Sequence, residues 1–179
     1  MSRLHIGCGE VILPDWTNID QESTVADVKI DVRQGLPAKS DSVDFIFSEH
    51  FVEHLDPNEA VAFFQEAKRV LRSGGIMRTA MPDLHHLCEN YLGDWSNMPW
   101  IKDFGYEHIR TGAEMLNTCF YDWGHRWLYD HEELVRRLLE AGLSENKRRH
   151  RGKSRYPELT NLEQRQDSRL IVESTKGAT

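Results

Sequence analysis

The amino-acid sequence predicts an α/β sandwich that binds ligands beyond the carboxyl ends of its parallel strands. Three observations carry this reading. Short β-type segments open the chain, a strongly amphipathic helix follows them, and strand and helix segments then succeed one another to the end. At 179 residues the chain is one domain's worth, long enough to bury a core and too short for two ordinary enzyme domains.

Leu4-His5-Ile6 reads as the first strand and runs into Gly7-Cys8-Gly9. Trp16 to Asp20, Val28 to Val32 and Val43 to Ser48 are the next three. The period then changes. Asp56-Pro57-Asn58-Glu59 is a capping box with proline at the first helical position, and Ala60, Phe63, Phe64, Ala67, Val70 and Leu71 follow at helical spacing as far as Ser73-Gly74-Gly75. Ile76 to Met81 is a fifth strand. Asp130 and Glu133 cap a helix whose apolar face is Leu134, Leu138 and Leu139, stopped at Gly142. Strands near Glu145 to His150 and at Arg169 to Ser174 close the chain.

The first four strands are joined by about ten, seven and ten residues, near or below the length of a helical crossover. One sheet face should therefore lack its helices. His5, Lys29 and Arg78 alternate with apolar neighbours, which fits strands half-solvated on that face. Apolar positions left exposed there would favour a homodimer or a larger partner.

Composition narrows the class. With 39% hydrophobic and 28% charged residues, mean hydropathy −0.60 and no apolar run near roughly 18 residues, a membrane span is excluded. Met1-Ser2-Arg3-Leu4 enters a strand without a signal-like or presequence-like stretch, so a cytoplasmic location is expected. Cys8, Cys88 and Cys119 form no CxxC pair, and reduced thiols are expected. The net charge of −7 is uneven, −11 over residues 1–143 and +4 over 144–179. Lys147, Arg148, Arg149, Arg151, Lys153 and Arg155 read as a solvated strand and loop beside an acidic body, which leaves nucleic acid a minority reading.

A strand ending in Gly-x-Gly lets main chain approach a ligand, because glycine has no Cβ. Gly7-Cys8-Gly9 lacks the third glycine and the following helix of a phosphate cradle, so another kind of ligand is expected. Asp20 ends the second strand and could accept from two ribose hydroxyls through its two oxygens. Asp31 ends the third. Such terminal aspartates serve equally often as turn formers.

In LHIGCGEVILPDWTNID (4–20), DVRQGLPAKSDSVDFIFSEHFVEHL (31–55), RVLRSGGIMRTAMPD (69–83), HRWLYDHEELVRRLLEAGL (125–143) and the closing RLIVES, the sequence resembles the class I S-adenosylmethionine-dependent methyltransferases, in particular the small type 11 domains and their short relatives. The resemblance implies a Rossmann-like, mostly parallel sheet with an antiparallel last strand. It also implies that Gly7, Cys8 and Gly9 lie against the methionine part of S-adenosylmethionine, that Asp20 holds the ribose, that Asp31 and Val32 border adenine, and that Ser48, Glu49 and His50 line the site. The chain departs from the family in lacking helices between its first strands and a helix before them.

Residues 84–129 are expected to form a lid and acceptor-site insertion within a single domain spanning 1–179. Ten of the 17 aromatics lie there, and aromatic faces both exclude water and attract a sulfonium. They could equally be an accessory core. His50-Phe51-Val52-Glu53-His54 matches an inverted zinc-peptidase motif, a pattern short enough to arise by chance. The stretch is also similar to the ExxEH of some metal-dependent O-methyltransferases. That resemblance would make His50, Glu53, His54 and His125 ligands of a divalent ion, with His50 standing where those enzymes have glutamate. Metal is the lesser reading, since similar stretches begin ordinary helices. His85, His86 and Cys88 read as surface residues.

The expected activity is methyl transfer from S-adenosylmethionine to a small-molecule or saccharide-like acceptor, on oxygen. Asp83, His54 and His125 are the candidates for taking up the acceptor's proton. The competing reading is a non-catalytic scaffold that binds the cofactor or a partner protein.

Overall fold

The computed structural model describes residues 1–177. Its strands are β1 (Arg3–Ile6), β2 (Thr17–Asp20), β3 (Val28–Lys29), β4 (Val43–Glu49), β5 (Leu71–Met81), β6 (Ser144–Arg148) and β7 (Leu170–Thr175). They form one sheet in the order β3-β2-β1-β4-β5-β7-β6, parallel from β3 through β5, with β7 antiparallel to both its neighbours. The chain order reverses between β1 and β4, so the carboxyl ends of these two strands flank the crevice where such sheets bind ligands.

One face of the sheet carries α1 (Pro57–Val70) and α5 (His131–Glu140). The Asp56 carboxylate accepts from the Asn58 and Glu59 N–H groups, and the Glu59 carboxylate accepts in return from the Asp56 N–H at 2.9 Å. Helical spacing then puts Ala60, Phe63, Phe64, Ala67 and Val70 on one buried stripe, which packs with Leu134 and Leu138 of α5 against Ile6, Ile46 and Met77. α1 ends at Val70, and Ser73-Gly74-Gly75, expected to follow the helix as a turn, belongs to β5. Leu139, expected on the buried face of α5, is 56% exposed.

The opposite face lacks helices, as the short connections predict: no α-helix intervenes between β1, β2, β3 and β4, only a 3-10 turn at Val32–Gln34. That turn takes Val32 out of the expected third strand, which pairs only over Val28–Lys29. The face is nevertheless not solvated. Two irregular segments, 10–16 and 149–168, lay Leu13, Trp16, Leu159 and Leu162 over Phe45, Phe47, Ile76 and Ile171. The chain itself covers the surface that was expected to favour a homodimer.

His5 and Arg78, read as half-solvated, are buried, while Lys29 is exposed. His5 stacks on Phe47 with ring centroids 5.3 Å apart and bonds to Asn18 Oδ1 at 3.1 Å. Asn18 in turn donates to the carbonyls of Leu13 and Trp16, which fixes the 10–16 cover. Arg78 holds the other cover. Its Nε donates to Glu163 at 2.6 Å, its Nη1 to Glu173 at 2.7 Å and to the Lys153 carbonyl at 3.1 Å. Glu163 accepts further from the Gly152 N–H, and Glu173 from Arg149.

A third layer of short helices sits beyond the carboxyl end of β5: α2 (Leu84–Leu92), α3 (Pro99–Asp103) and α4 (Gly112–Tyr121). Leu87, Met98, Trp100, Ile101, Ile109, Met115, Cys119 and Leu128 give it a hydrophobic cluster of its own. Arg126 ties it to the start of α1 through Asp56 and Glu59.

Removing one member of a buried charge cluster leaves the others unpaired, which costs about 3–5 kcal/mol. Arg78→Ala is expected to lower stability to urea by this amount, whereas the combined Arg78→Met, Glu163→Gln, Glu173→Gln variant recovers most of it. Equilibrium denaturation of the two proteins checks the sign and the recovery.

Candidate active site

The carboxyl ends of β1, β2 and β4 open on a cleft of about 780 Å³. Gly7, Cys8 and Gly9 form one wall, Asp20, Asp31 and Val32 a second, and Glu49, His50 and His54 a third. The two glycines have different reasons to be glycine. Gly7 has φ +67° and a Cβ there would stand 2.6 Å from the Phe51 ring, so both conformation and close packing require it. Gly9 has φ +52°, and a Cβ there would meet no protein atom within 4 Å, because it would project into open space.

Asp20 ties these walls together. Its Oδ2 accepts from the Gly9 N–H at 2.9 Å, and its Oδ1 accepts from the N–H groups of Glu22 and Ser23 at 2.8 and 2.9 Å. A carboxylate offers roughly four acceptor positions, so capacity for a ligand hydroxyl remains on Oδ2 rather than on each oxygen. Burial would raise the Asp20 pKa, but the bonds from Ser23, Glu22 and Gly9 outweigh it and hold the group below the usual carboxylate range. Asp31 caps the Val32–Gln34 turn and is gripped by the Arg33 guanidinium, whose Nε reaches both carboxylate oxygens. Val32 is buried behind it.

Two of the expected site residues lie elsewhere. Ser48 is 1% exposed and does not reach the cleft. Asp83 is 2% exposed, accepts from the His85 N–H as the cap of α2 and pairs with Arg148. It borders only a cavity of about 20 Å³, room for about one water. Asp83, expected as a general base, lines neither of the two larger clefts. Glu49 reaches the cleft as a clamp: its oxygens accept from the N–H groups of Gln164 and Arg165 and from the Ser168 hydroxyl at 2.6 to 3.1 Å.

That clamp brings in two residues the sequence reading missed, Arg165 and Asp167. No local pattern marks them, since they arrive by a contact across more than a hundred residues. Arg165 lines the first cleft and also a second, of about 560 Å³, bounded by Phe104, Tyr106, Trp123, His125 and Asp167. The two clefts share His50, His54, Trp123 and Arg165.

At this junction the chain leaves β4 through His50 in the left-handed region, φ +50°, with its N–H bonded to the Ala80 carbonyl at 2.9 Å. The following 3-10 turn, Val52–His54, buries Glu53 completely and turns His54 toward His125, ring centroids 5.1 Å apart. Arg126 and Trp127 donate their N–H groups to the Glu53 carbonyl, which seats the helical layer on this turn. Burial lowers the pKa of His50 to about 3 and raises that of Glu53 to about 8. Their 3.4 Å approach is therefore a contact between neutral groups and not an ion pair. Burial also lowers His54 and His125, so all three imidazoles are neutral at neutral pH. His85 and Cys88 are exposed on α2.

Residues 15–79 match the family described as methyltransferase domain. That match covers 65 of the 179 residues, and the sheet has the Rossmann-like fold of class I methyltransferases. Among solved structures of that fold, a methyltransferase from Thermotoga maritima is 18% identical, with 98% of this chain and 82% of that one covered and a TM-score of 0.60. One from Archaeoglobus fulgidus is 15% identical over 98% and 86% with the same score. A chain of the Haloferax volcanii complex between a methyltransferase and the Trm112 activator is 14% identical over 99% and 82%, with a score of 0.58. At these identities the likeness is one of fold. No curated protein matches the sequence significantly. Among the described residues no helix is long and apolar enough to cross a membrane.

The folded pKa of Asp20 lies below its unfolded value, so its contribution to stability is complete above the unfolded value of about 4 and fades as pH falls through the folded one. Asp20→Asn is expected to remove that part of the acid dependence. Urea midpoints of the two proteins should differ most near neutrality and converge toward pH 2.

Proposed function

We propose that this domain methylates an oxygen of a small-molecule or saccharide-like acceptor, with S-adenosylmethionine in the first cleft and the acceptor in the second. The observation that carries the reading is the junction of the two clefts at His50, His54, Trp123 and Arg165. The first cleft fits the cofactor in its details: Gly9 leaves space where a side chain would stand, and Asp20 retains acceptor capacity beside it. Glu10, Asp20, Glu22, Asp31 and Glu49 give its rim a negative bias suited to a cationic ligand.

Gly7, Cys8 and Gly9 would hold the methionine portion, Asp20 the ribose, and Asp31 with Val32 the adenine edge. When bound, S-adenosylmethionine supplies an electrophilic methyl group, and it carries that chemistry itself. The chain aligns the acceptor and excludes water. Trp123, Phe104 and Tyr106 offer aromatic faces to the acceptor cleft, and aromatic faces suit the apolar side of a sugar or a ring. His54 and His125 are neutral and border that cleft, so either imidazole nitrogen lone pair can take the hydroxyl proton as the oxygen attacks. With Asp83 held by Arg148, these histidines are the proposed proton acceptors. Residues 84–129 then act as the lid and the acceptor-side wall.

Isothermal titration with S-adenosylhomocysteine tests the reading. Wild type is expected to bind, and Gly9→Ala to bind at least tenfold more weakly, about 1.4 kcal/mol, because the added methyl enters the ligand's space and an alanine holds the φ of +52° that shapes this loop only under strain. Asp20→Ala is expected to lose at least as much. Unchanged affinity in Gly9→Ala would refute the placement, and absence of binding by wild type would leave only the scaffold reading.

For the proton acceptor, His54→Ala is expected to lower kcat at least a hundredfold with little change in cofactor affinity. Steady-state rates with a panel of sugar and phenolic hydroxyl acceptors provide the check.

A further inference from the structure

We propose that Arg165 makes the second cleft selective for an acceptor that carries an anionic group, a carboxylate or a phosphate, in addition to the hydroxyl it presents. The proposal rests on the placement of the acceptor in that cleft and names its chemical class. Among the described residues around the second cleft, Arg165 is the one permanent cation.

The state of its side chain is the first observation. Arg33, the other guanidinium of the first cleft, is taken up by Asp31 through both carboxylate oxygens. Arg165 is exposed, and its guanidinium has neither a hydrogen bond nor an ion pair among the described residues. Its backbone, by contrast, is pinned on both sides. The Arg165 N–H donates to Glu49 Oε1 at 3.1 Å, and its carbonyl accepts from Arg151 Nε at 3.0 Å. A free fork of five N–H donors on a fixed main chain is pre-organised for an oxyanion.

The neighbouring carboxylates do not take this fork up. Glu49 is committed to the N–H groups of Gln164 and Arg165 and to the Ser168 hydroxyl. Asp167 Oδ1 stands 3.5 Å from His50 Nε2, and burial raises its pKa in spite of the nearby Arg165 charge. Burial keeps the imidazoles of the cleft neutral, and the positive field of Arg165 adds to that effect at His50 and His54. An anion entering the cleft therefore finds its counter-charge at one point. The aromatic faces of Phe104, Tyr106 and Trp123 border the same space. A ring held by those faces and tied by its anionic group to Arg165 is fixed at two points, and that sets where its hydroxyl lies relative to His54 and His125.

Because Arg165 also lines the first cleft, the methionine carboxylate of the cofactor is the rival anion, and the test separates the two. The full chain, saturated with S-adenosylhomocysteine, is titrated by calorimetry with 4-hydroxybenzoate against phenol, and with glucuronate and glucose 6-phosphate against glucose. At least one anionic probe is expected to bind about tenfold or more tightly than its neutral counterpart. Arg165→Met is expected to abolish that preference and Arg165→Lys to keep part of it, while the exposed Arg155→Met behaves as wild type. The contacts of residue 165 to Glu49 and Arg151 use main-chain atoms and persist in these variants, as circular dichroism checks. S-adenosylhomocysteine itself is expected to bind Arg165→Met within twofold of wild type. A larger loss would give the guanidinium to the cofactor carboxylate and overturn the proposal. Binding of no anionic probe, equal binding of charged and neutral probes, or a preference that survives Arg165→Met overturns it as well. Wild type that binds S-adenosylhomocysteine without any charge preference defeats this proposal alone, whereas wild type that does not bind S-adenosylhomocysteine defeats the methyl-transfer reading and this proposal with it.

Discussion

The buried guanidinium of Arg78 is the constraint on which the rest of this molecule depends. A sheet of this kind ordinarily buries its second face under helices, which satisfy their own backbone groups. Here the connections are too short to build them, and irregular chain must do the covering. Irregular chain carries polar backbone that needs partners, and Arg78 supplies some of them. It gathers Glu163, Glu173 and the Lys153 carbonyl at one point in mid-sheet, and Glu163 passes the bond on to the Gly152 N–H. The apolar contacts of Leu159 and Leu162 with Phe45 and Ile171 can then form.

The site inherits this arrangement. The segment that Arg78 anchors at residues 153 and 163 continues directly to Gln164, Arg165 and Ser168, all of which bond to the Glu49 carboxylate at the end of β4. Arg165 and Asp167 therefore reach the ligand clefts because a structural cation in the sheet holds the chain that bears them. Coverage of the sheet and construction of the cleft wall are one act, and a change at Arg78 should be felt at both. The left-handed conformation of His50 belongs to the same corner: the chain must turn sharply off β4 between the Glu49 clamp and the fully buried Glu53.

What could be read in the sequence was what local pattern encodes. The Asp56 and Glu59 capping box, the strand tips at Gly7 and Asp20, and the missing helices all follow from spacing within a dozen residues. What could not be read was set by distant partners. Arg78 in a strand looks like a solvated residue until two glutamates 85 and 95 positions away are placed against it. Asp83 looks like a free carboxylate at a strand end until Arg148, 65 positions on, neutralises it. Gly74 and Gly75 look like a helix stop, yet β5 runs through them: the Gly74 N–H donates to the Lys176 carbonyl and the Lys176 N–H donates to the Gly75 carbonyl. Helical phase at Leu139 failed for a milder reason: α5 is only two and a half to three turns long, and its buried stripe is satisfied by Leu134 and Leu138.

The same long-range logic explains the uneven charge of the chain. Eleven excess negative charges in the first 143 residues and four excess positive ones in the tail look like two surfaces of opposite sign. The fold interleaves them instead. Arg148 meets Asp83, Arg149 meets Glu173, and Lys176 meets Asp41, while Arg151 caps the carbonyls of Glu163 and Arg165. Two of the tail's cations, Arg148 and Lys176, are thus counter-ions to the acidic body, while Arg149 and Arg151 are engaged within the tail and fasten the 149–168 cover to its own strand and loop. The first cleft is lined by five carboxylates against the two guanidiniums of Arg33 and Arg165, so a cation entering there meets a net negative wall.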